Sequence, residues 1–539
     1  VTKKFLPLSS TTHISAKASS LTWQGVVRVF LRVLVGVWLC LILAWSALHA
    51  FILPRVAEHQ TWLQQQASRA LGVRVQVGAL QVAGSWWLPW LQLHGVGLYD
   101  AQGREALHLS HVTLAFSPVS LLRGGFEQVV IDQPDLDIRR DAQGRVWVAG
   151  LPLQNESQGT DASDWFFSQK QFLIRQGSLR WQDEHMHGEQ APVLVLSDVN
   201  VTMLNGWGHH DVRIDATPPV HVGARLSVRG QFEQPLLARA GDWQQWRGQM
   251  YADFPSVDVS HLRQWIPLER GVSLQTGIGA LRAWADVEQG RPIALTADVT
   301  LEAVNVKLGA DLQALQLKKM QGRVGASWLS SAYEISSQDL TFETLQGERW
   351  PGGDIRVSWQ GDDAHAGTFH ADRMDLGALS QVAQRLPLPE ELHEALLALH
   401  PQGQANKLQI HWQRPLGVDT TPSVFSAKGQ LVQLSLLHNP QAQAFWAHWP
   451  GVENLDLDFE ITQQGGKAKL SIQKGSLTLP FGLENKRIAL TQAAAQGTWA
   501  NNDKGLQVHI HQAAISNDDL SGDFSGNWKM GSAQAPFPG

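Results

Sequence analysis

The side chains that could do chemistry are few and scattered. Histidine is prominent among them, with 21 copies in 539 residues. His185 and His187 are two apart, as are His509 and His511, and His209 and His210 are adjacent. Two histidines at i and i+2 on a strand share a face and could hold zinc, given further ligands from elsewhere. His509 and His511, however, alternate with Leu506, Val508 and Ile510, which is the pattern of a strand's wet face. The carboxylates Asp456, Asp458 and Glu460 alternate with apolar residues in the same way, and Asp518 and Asp519 stand side by side. Such pairs could act as general acid and base, but carboxylates on an exposed strand face are ordinarily solubilising. The single cysteine, Cys40, excludes an internal disulfide framework and lies in an apolar run, not a cleft. No G-x-S-x-G elbow, phosphate-binding loop or dinucleotide-type glycine loop occurs. These residues predict a protein with no catalytic, cofactor or metal site.

Composition narrows the class further. Charged residues are 17% and hydrophobic ones 43%, so the chain is built to fold. Its 43 basic and 49 acidic residues give a net charge of −6, with no basic footprint for nucleic acid. Tryptophan is over-represented, with 23 against 3 tyrosines. At about 150 residues per domain the length corresponds to three or four domains.

An uncharged run of 21 residues, Val33 to Leu53, would make roughly 31 Å of helix, the thickness of a hydrocarbon core. Lys3, Lys4, Lys17, Arg28 and Arg32 precede it, which predicts a cytoplasmic amino terminus with the rest of the chain across the membrane. The run is too long, and lacks the cleavage site, for a removed signal peptide. Residues 1–25 then form a cytosolic tail and 26–53 a transmembrane anchor. Cys40 becomes a packing residue inside the span. A connecting helix is expected from Pro54 to Leu71, ended by Gly72.

Beyond residue 72 the dominant period is two. Leu455, Leu457, Phe459 and Ile461 alternate with acidic residues; Ile355, Val357 and Trp359, and Leu408, Ile410 and Trp412, follow the same rule. Glycine and proline breaks such as Gly144, Gly177, Gly322, Gly429 and Gly475 separate the strands. This is a mainly β chain of antiparallel meanders, each strand with one apolar and one polar face. Helices are few: a turn capped by Asp258 with Val259, Leu262 and Trp265, a stripe from Leu376 to Leu386 capped by Asp375, the run Glu390–Leu399 stopped by Pro401, and a short aromatic helix over Gln441–Trp449. They cannot cover so much sheet. The apolar face must meet a second sheet, close into a barrel, or meet a ligand. Periodicity leaves these open, and a two-sheet sandwich is the commoner host.

The region after the anchor resembles the amino-terminal part of AsmA-like proteins of the YhdP-type branch. Leu71-Gly72-Val73, Ser85-Trp86-Trp87, Pro89, Gly95-Val96 and Asp100 carry the likeness, followed by Pro118, Ser120-Leu121-Leu122, Pro134, Arg139, Gly144 and Gly150-Leu151. Trp246, Gly248, Tyr251, the helix after Asp375, Trp449-Pro450-Gly451-Val452, and Asn517 to Trp528 extend it across most of the chain.

The resemblance implies a long, curved, mostly antiparallel β-groove with an apolar concave face, anchored in the inner membrane of a diderm bacterium. It implies units at 54–155, 156–400 and 401–539. It also implies a non-enzymatic conduit moving phospholipid through the periplasm toward the outer membrane, without cofactors. The alternative is an envelope assembly protein that binds other envelope components through strand edges. Proteins of this branch are longer, so the chain is expected to be a fragment or a short member. The residues expected to face lipid are Ile355, Val357, Trp359, Leu408, Ile410, Trp412, Leu455, Leu457, Phe459, Ile461, Leu506, Val508 and Ile510. Trp86, Trp87 and Trp90, some 35 residues past the anchor, could lie at the membrane interface, but the family pattern favours their filling the end of the groove or its first turn. A near-uniform lining would let lipid slide without traps. Aspartates at Leu457 and Phe459 should block it, while Asp456→Ser and Asp458→Ser should be nearly silent.

Overall fold

The computed structural model describes residues 23–47, 50, 60–71, 73–84, 89–99, 102–122, 125–152, 161–187, 191–262, 273–329, 331–361, 365–413, 424–442, 446–480, 487–502 and 505–530. Alternation of apolar and polar residues has produced strands, and short turns have joined them into neighbours. The first are β1 (Arg74–Gly84), β2 (Pro89–Tyr99), β3 (Glu105–Ala115), β4 (Gln128–Asp132), β5 (Asp135–Arg140), β6 (Val146–Val148), β7 (Leu151–Pro152), β8 (Gln171–Asp183) and β9 (Val193–Asn205). Next come β10 (His209–Thr217), β11 (Leu226–Glu233), β12 (Arg247–Asp258), β13 (Ser273–Glu288), β14 (Arg291–Lys307), β15 (Leu315–Leu329), β16 (Ala332–Thr344), β17 (Arg349–Trp350) and β18 (Ile355–Gln360). The last are β19 (Ala366–Asp375), β20 (Gln402–Gln413), β21 (Val424–Leu436), β22 (Gly451–Thr462), β23 (Gly465–Thr478), β24 (Arg487–Asn502), β25 (Gly505–Ser516) and β26 (Ser521–Met530).

All pair into one sheet. Neighbours are antiparallel and follow chain order, except that β8 lies parallel to both β4 and β5 and that β16 pairs with β18 as well as with the short β17. The parallel pairing arises because the chain leaves β4 through β5 to β7 and returns by a short helix before β8. Among the described residues β1 does not pair with β26, so the sheet is open. Among the described residues the two-sheet sandwich that periodicity left open is not formed, and the sheet is the single open one that the resemblance implied. Each buried apolar cluster is drawn from consecutive strands and the helices on them, never from strands distant in the ladder.

The helices are α1 (Trp23–Ala47), α2 (Gln60–Leu71), α3 (Pro118–Leu122), α4 (Asp161–Ser168), α5 (Glu184–His187), α6 (Val259–Leu262), α7 (Leu376–Val382) and α8 (Glu390–Leu399). α1 begins ten residues before the uncharged run and includes Arg28 and Arg32, which are good helix formers. Among the described residues no helix is long and apolar enough to cross a membrane. Cys40 is exposed on α1. α7 and α8 lie where the sequence puts them. Asp375 Oδ1 accepts the Ala378 N–H at 2.8 Å, and α8 is bounded by Pro389 and a left-handed His400. The expected aromatic helix is only a 3₁₀ turn, Trp446–His448; residues 443–445 lie outside the described part, as do Trp265, Pro54, Trp86 and Trp87.

A line of kinks crosses the ladder, and the sequence reading did not anticipate it. Gln133, Gln176, Asp198, Ala303, Asp339, Lys407, Gln433, Asn454 and Lys474 all take left-handed φ values of 46 to 59°. Most sit at register shifts, where one strand gains a residue over its neighbour. Such bulges bend a strand and increase its twist. Side chains from adjacent strands accept the freed N–H groups: Asn200 Oδ1 from Gln176 (3.1 Å), Asp354 Oδ1 from Asp339 (3.2 Å), Asp456 Oδ1 from Gln433 (2.8 Å) and Ser435 Oγ from Asn454 (3.3 Å). Across each kink the apolar spacing lengthens from two to three, as in Leu301-x-x-Val304 and Val452-x-x-Leu455. The extra residue keeps the apolar side chains on one face.

Candidate functional site: the apolar face of the ladder

Residues opposite one another in neighbouring strands share a face, so cross-strand register shows what each face presents. One row runs Val82, Leu91, Leu114, Val129, Phe172, Met203, Val212 and Gly230. It continues through Met250, Ala285, Leu295, Ala326, Ile335, Val357, Phe369 and Ile410. It ends with Ala427, Ile461, Gly466, Trp499, Val508 and Trp528. No polar side chain interrupts it from β1 to β26. At about 4.8 Å per strand the row follows the sheet for roughly 100 Å. A second row beside it, from Leu80 through Ile131, Val201, Ala283 and Val324 to Leu408, is broken only by the hydroxyl of Ser337.

One residue over, the reverse face is polar. Its row includes Arg213, Arg229, Tyr251, Trp284, Thr296, Ser336, Arg356, His370, Gln409, Lys428, Glu460, Lys467, Thr498 and His509. Ion pairs knit it together. Arg323 donates to Asp298 at 2.6 and 3.0 Å, and that hydrogen bonding holds the Asp298 carboxyl below its ordinary range.

All thirteen residues expected to line a groove lie on the apolar face. Val357, Ile410, Ile461 and Val508 belong to the unbroken row. Ile355 and Leu408 fall in the second row, Phe459 and Ile510 in a parallel one through Ala468 and Gly497, and Leu455 and Leu457 on the same side of β22. Trp359, Trp412 and Leu506 stand nearer the strand ends. Each is half-buried, while Asp456, Asp458 and Glu460 are exposed opposite them.

Coverage of the face changes along the ladder. From β2 to β9 it is roofed: Leu63 of α2 packs on Leu91, and Phe166 and Phe167 of α4 on Val129, Phe172 and Met203. From β12 onward the row opens, with Met250, Leu295 and Ile335 at 38, 41 and 54% exposure. In mid-ladder α6, α7 and the turn after it pack only on the kinked half of the strands, so that Val304 is 3% exposed in the same strand as Leu295. The open part spans fourteen strands, roughly 60 Å.

Two expectations are corrected. Trp90 does not line the groove; it neighbours Leu91 and so faces the polar side. Asp456 is not a merely solubilising carboxylate, since it caps the kink at Gln433. Sequence reasoning also missed His210, which is 2% exposed under the roof. Its ring stacks on Trp246 at 3.9 Å, with Nδ1 2.7 Å from Asn205 Oδ1 and Nε2 3.2 Å from Gln234 Oε1. Burial pushes its pKa down, with the Gln234 hydrogen bond opposing. The alternation carried this signal, because His210 is two residues from the inward Val212. Among the described residues other histidines meet only in pairs, His94 with His111, His221 with His261 and His509 with His511, at ring-centroid distances of 4.1, 4.9 and 4.3 Å. His509 Nδ1 bonds Asn527, His511 Nε2 is 3.4 Å from Thr498 Oγ1, and His185 Nδ1 is 3.0 Å from the Ala142 carbonyl. Among the described residues no three His, Cys, Asp or Glu side chains are placed to hold a metal.

An open, single-layer β-sheet, apolar on one face and polar on the other, defines a β-groove protein. A family model described as "YhdP protein" matches residues 20–537, and the chain belongs to the YhdP family, as the resemblance implied. No curated protein matches it.

Proposed function

We propose that the protein is a non-enzymatic, membrane-anchored lipid conduit. Acyl chains lie along the apolar row and headgroups stay in water. Each methylene kept from water contributes about 0.8 kcal/mol, so a bound lipid holds firmly to the face yet can pass from strand to strand. The observation that carries this reading is the apolar row itself, unbroken over the ladder and, among the described residues, without a protein cover from β12 to β26. In this reading the anchor is the uncharged run Val33 to Leu53 of the sequence, with the amino terminus in the cytoplasm and the ladder in the periplasm. Phospholipid would move from the inner membrane toward the outer membrane, driven by the membranes or a partner. The test is lipid extraction and native mass spectrometry of the protein purified without added lipid. Roughly stoichiometric or greater phospholipid is expected, and its absence would end the reading. A second reading, binding of envelope proteins through a strand edge, has the exposed edge strand β26 in its favour. It predicts a co-purifying polypeptide in place of lipid.

A further inference from the structure

The strand ends carry an apolar feature that the groove does not use. Three large apolar side chains stand almost wholly in water: Trp207 at 84%, Leu236 at 102% and Leu237 at 101% exposure. Trp207 lies on the β9–β10 turn and the two leucines on the β11–β12 connection. Both turns project from one end of the ladder, since His209 opposes Glu233 in register and the Gln234 N–H donates to the Gly208 carbonyl at 2.9 Å. They are two strands apart, about 10 Å. At the other end of β9 to β12, among the described residues, Val220 alone is comparably exposed.

The projection is held in place. The Ala238 N–H donates to the Pro235 carbonyl at 3.0 Å, closing a β-turn with the two leucines at its centre. Gln234 Nε2 donates to the Ala238 carbonyl at 2.5 Å, and Asp164 Oδ1 of α4 accepts the Gly241 N–H at 2.6 Å. A cluster of apolar side chains fixed outward in this way marks a surface that meets a partner.

The path of the chain indicates which partner. α2 runs back along β1, with Leu63 on Leu80 and Leu91 and the last residue, Leu71, in the cluster of Val75. Its first turn therefore lies toward the Gly84 end of β1. Register carries that end through Ala115, Gln128, Gln171 and Asn205 to Glu233, where the leucine turn begins. α2 also lies against α4, which holds that turn. The chain thus enters the ladder at the end from which Trp207, Leu236 and Leu237 project. Six residues separate Leu53, the end of the uncharged run, from Gln60, the start of α2, and they reach at most about 25 Å. An end tethered so close to a bilayer is within reach of its surface. Tryptophan favours that interface, and shallow insertion of apolar side chains requires no complementary pocket.

We propose that this end of the first strands is a membrane-contact surface, with Trp207, Leu236 and Leu237 dipping into the lipid interface of the bilayer that holds the anchor. The inference rests on the anchored reading and adds an orientation to it. The first strands stand end-on to the bilayer, so a lipid leaving the membrane meets the ends of the strands.

The test uses the full chain, carrying Cys40→Ser and one reporter position, in phosphatidylethanolamine–phosphatidylglycerol vesicles. A nitrobenzoxadiazole label is attached through Leu236→Cys, or through Val220→Cys as the control at the opposite end. Quenching by lipids with a nitroxide near the headgroup should be at least five-fold stronger at position 236 than at 220. Aqueous iodide should give the reverse order. Trp207→Ser with Leu237→Ser, which touches no packed side chain, should lower lipid quenching at 236 at least three-fold while the protein still floats with the vesicles. Lipid quenching at 236 no stronger than at 220 in protein that floats, or unchanged in the double variant, would overturn the contact surface and leave the anchor standing. Protein that does not float would remove the anchored reading and the contact surface with it.

Discussion

Asp456 and Asp458 offer a controlled comparison. They carry the same charge, stand two residues apart on β22, and are both exposed on the polar face. Only Asp456 is shown accepting a backbone N–H, that of Gln433, 2.8 Å away at a φ of 51°. A hydrogen bond to a charged group contributes about 1.5–3 kcal/mol. Solvent screening at an exposed site reduces this to about 1 kcal/mol. Asp456→Ala should therefore raise the population of the open kink about five-fold. Hydrogen–deuterium exchange of the Gln433 amide reads that opening directly, because this amide is the donor. The expected result is about five-fold faster exchange in Asp456→Ala and no more than two-fold in Asp458→Ala. Equal acceleration in both variants, or none in either, would show that the side-chain cap does not hold the kink.

Further outcomes follow from the faces and the buried groups. Leu457→Asp with Phe459→Asp puts two carboxylates on the apolar face; co-purified phospholipid should fall several-fold while circular dichroism still reports a β fold. His210 is held neutral by burial, so its folded pKa lies below its ordinary 6.5, and the unfolded chain binds the proton first as pH falls. Stability should decline below pH 6.5 toward the folded pKa, and His210→Gln should flatten that decline in denaturation midpoints. At Asp141 burial acts upward, but hydrogen bonds from Trp147 Nε1 and from the backbone and side chain of Arg145 outweigh it and hold the carboxyl at about 2. The stability it lends to the β5–β6 turn is complete above an ordinary carboxyl pKa of 3.8 and is lost as pH falls toward 2. The difference in unfolding midpoint between wild type and Asp141→Asn should shrink over that range.

What could be read from the residues was local. Alternation marks each strand, and because side-chain direction also has period two, the same pattern assigned Leu455, Phe459 and Ile461 to one face before any pairing was known. α8 was legible from the prolines that flank it. The single sheet was not, because alternation is identical in a sandwich and in an open ladder and only long-range pairing separates them. The parallel return of β8 to β4 and β5 depends on a crossover that has no local pattern. The kinks left a trace, the three-residue apolar spacing at Leu431-x-x-Leu434 and Val452-x-x-Leu455. The role of Asp456 did not, since it requires the register of β22 against β21. An aromatic row was half visible: Trp359 and Trp412 were placed inward, but their meeting with Tyr333 and Gly367 comes from four strands brought side by side.

The central claim is that lipid occupies one face of the ladder and not the other. Gln409 and Ile410 are consecutive in β20 and point to opposite faces, so they isolate that claim. A photoactivatable benzoyl-phenylalanine placed at either position and irradiated in cells should give a phospholipid adduct only from position 410. Adducts of equal yield from both positions, or from 409 alone, would contradict a lipid-bearing groove on the apolar face.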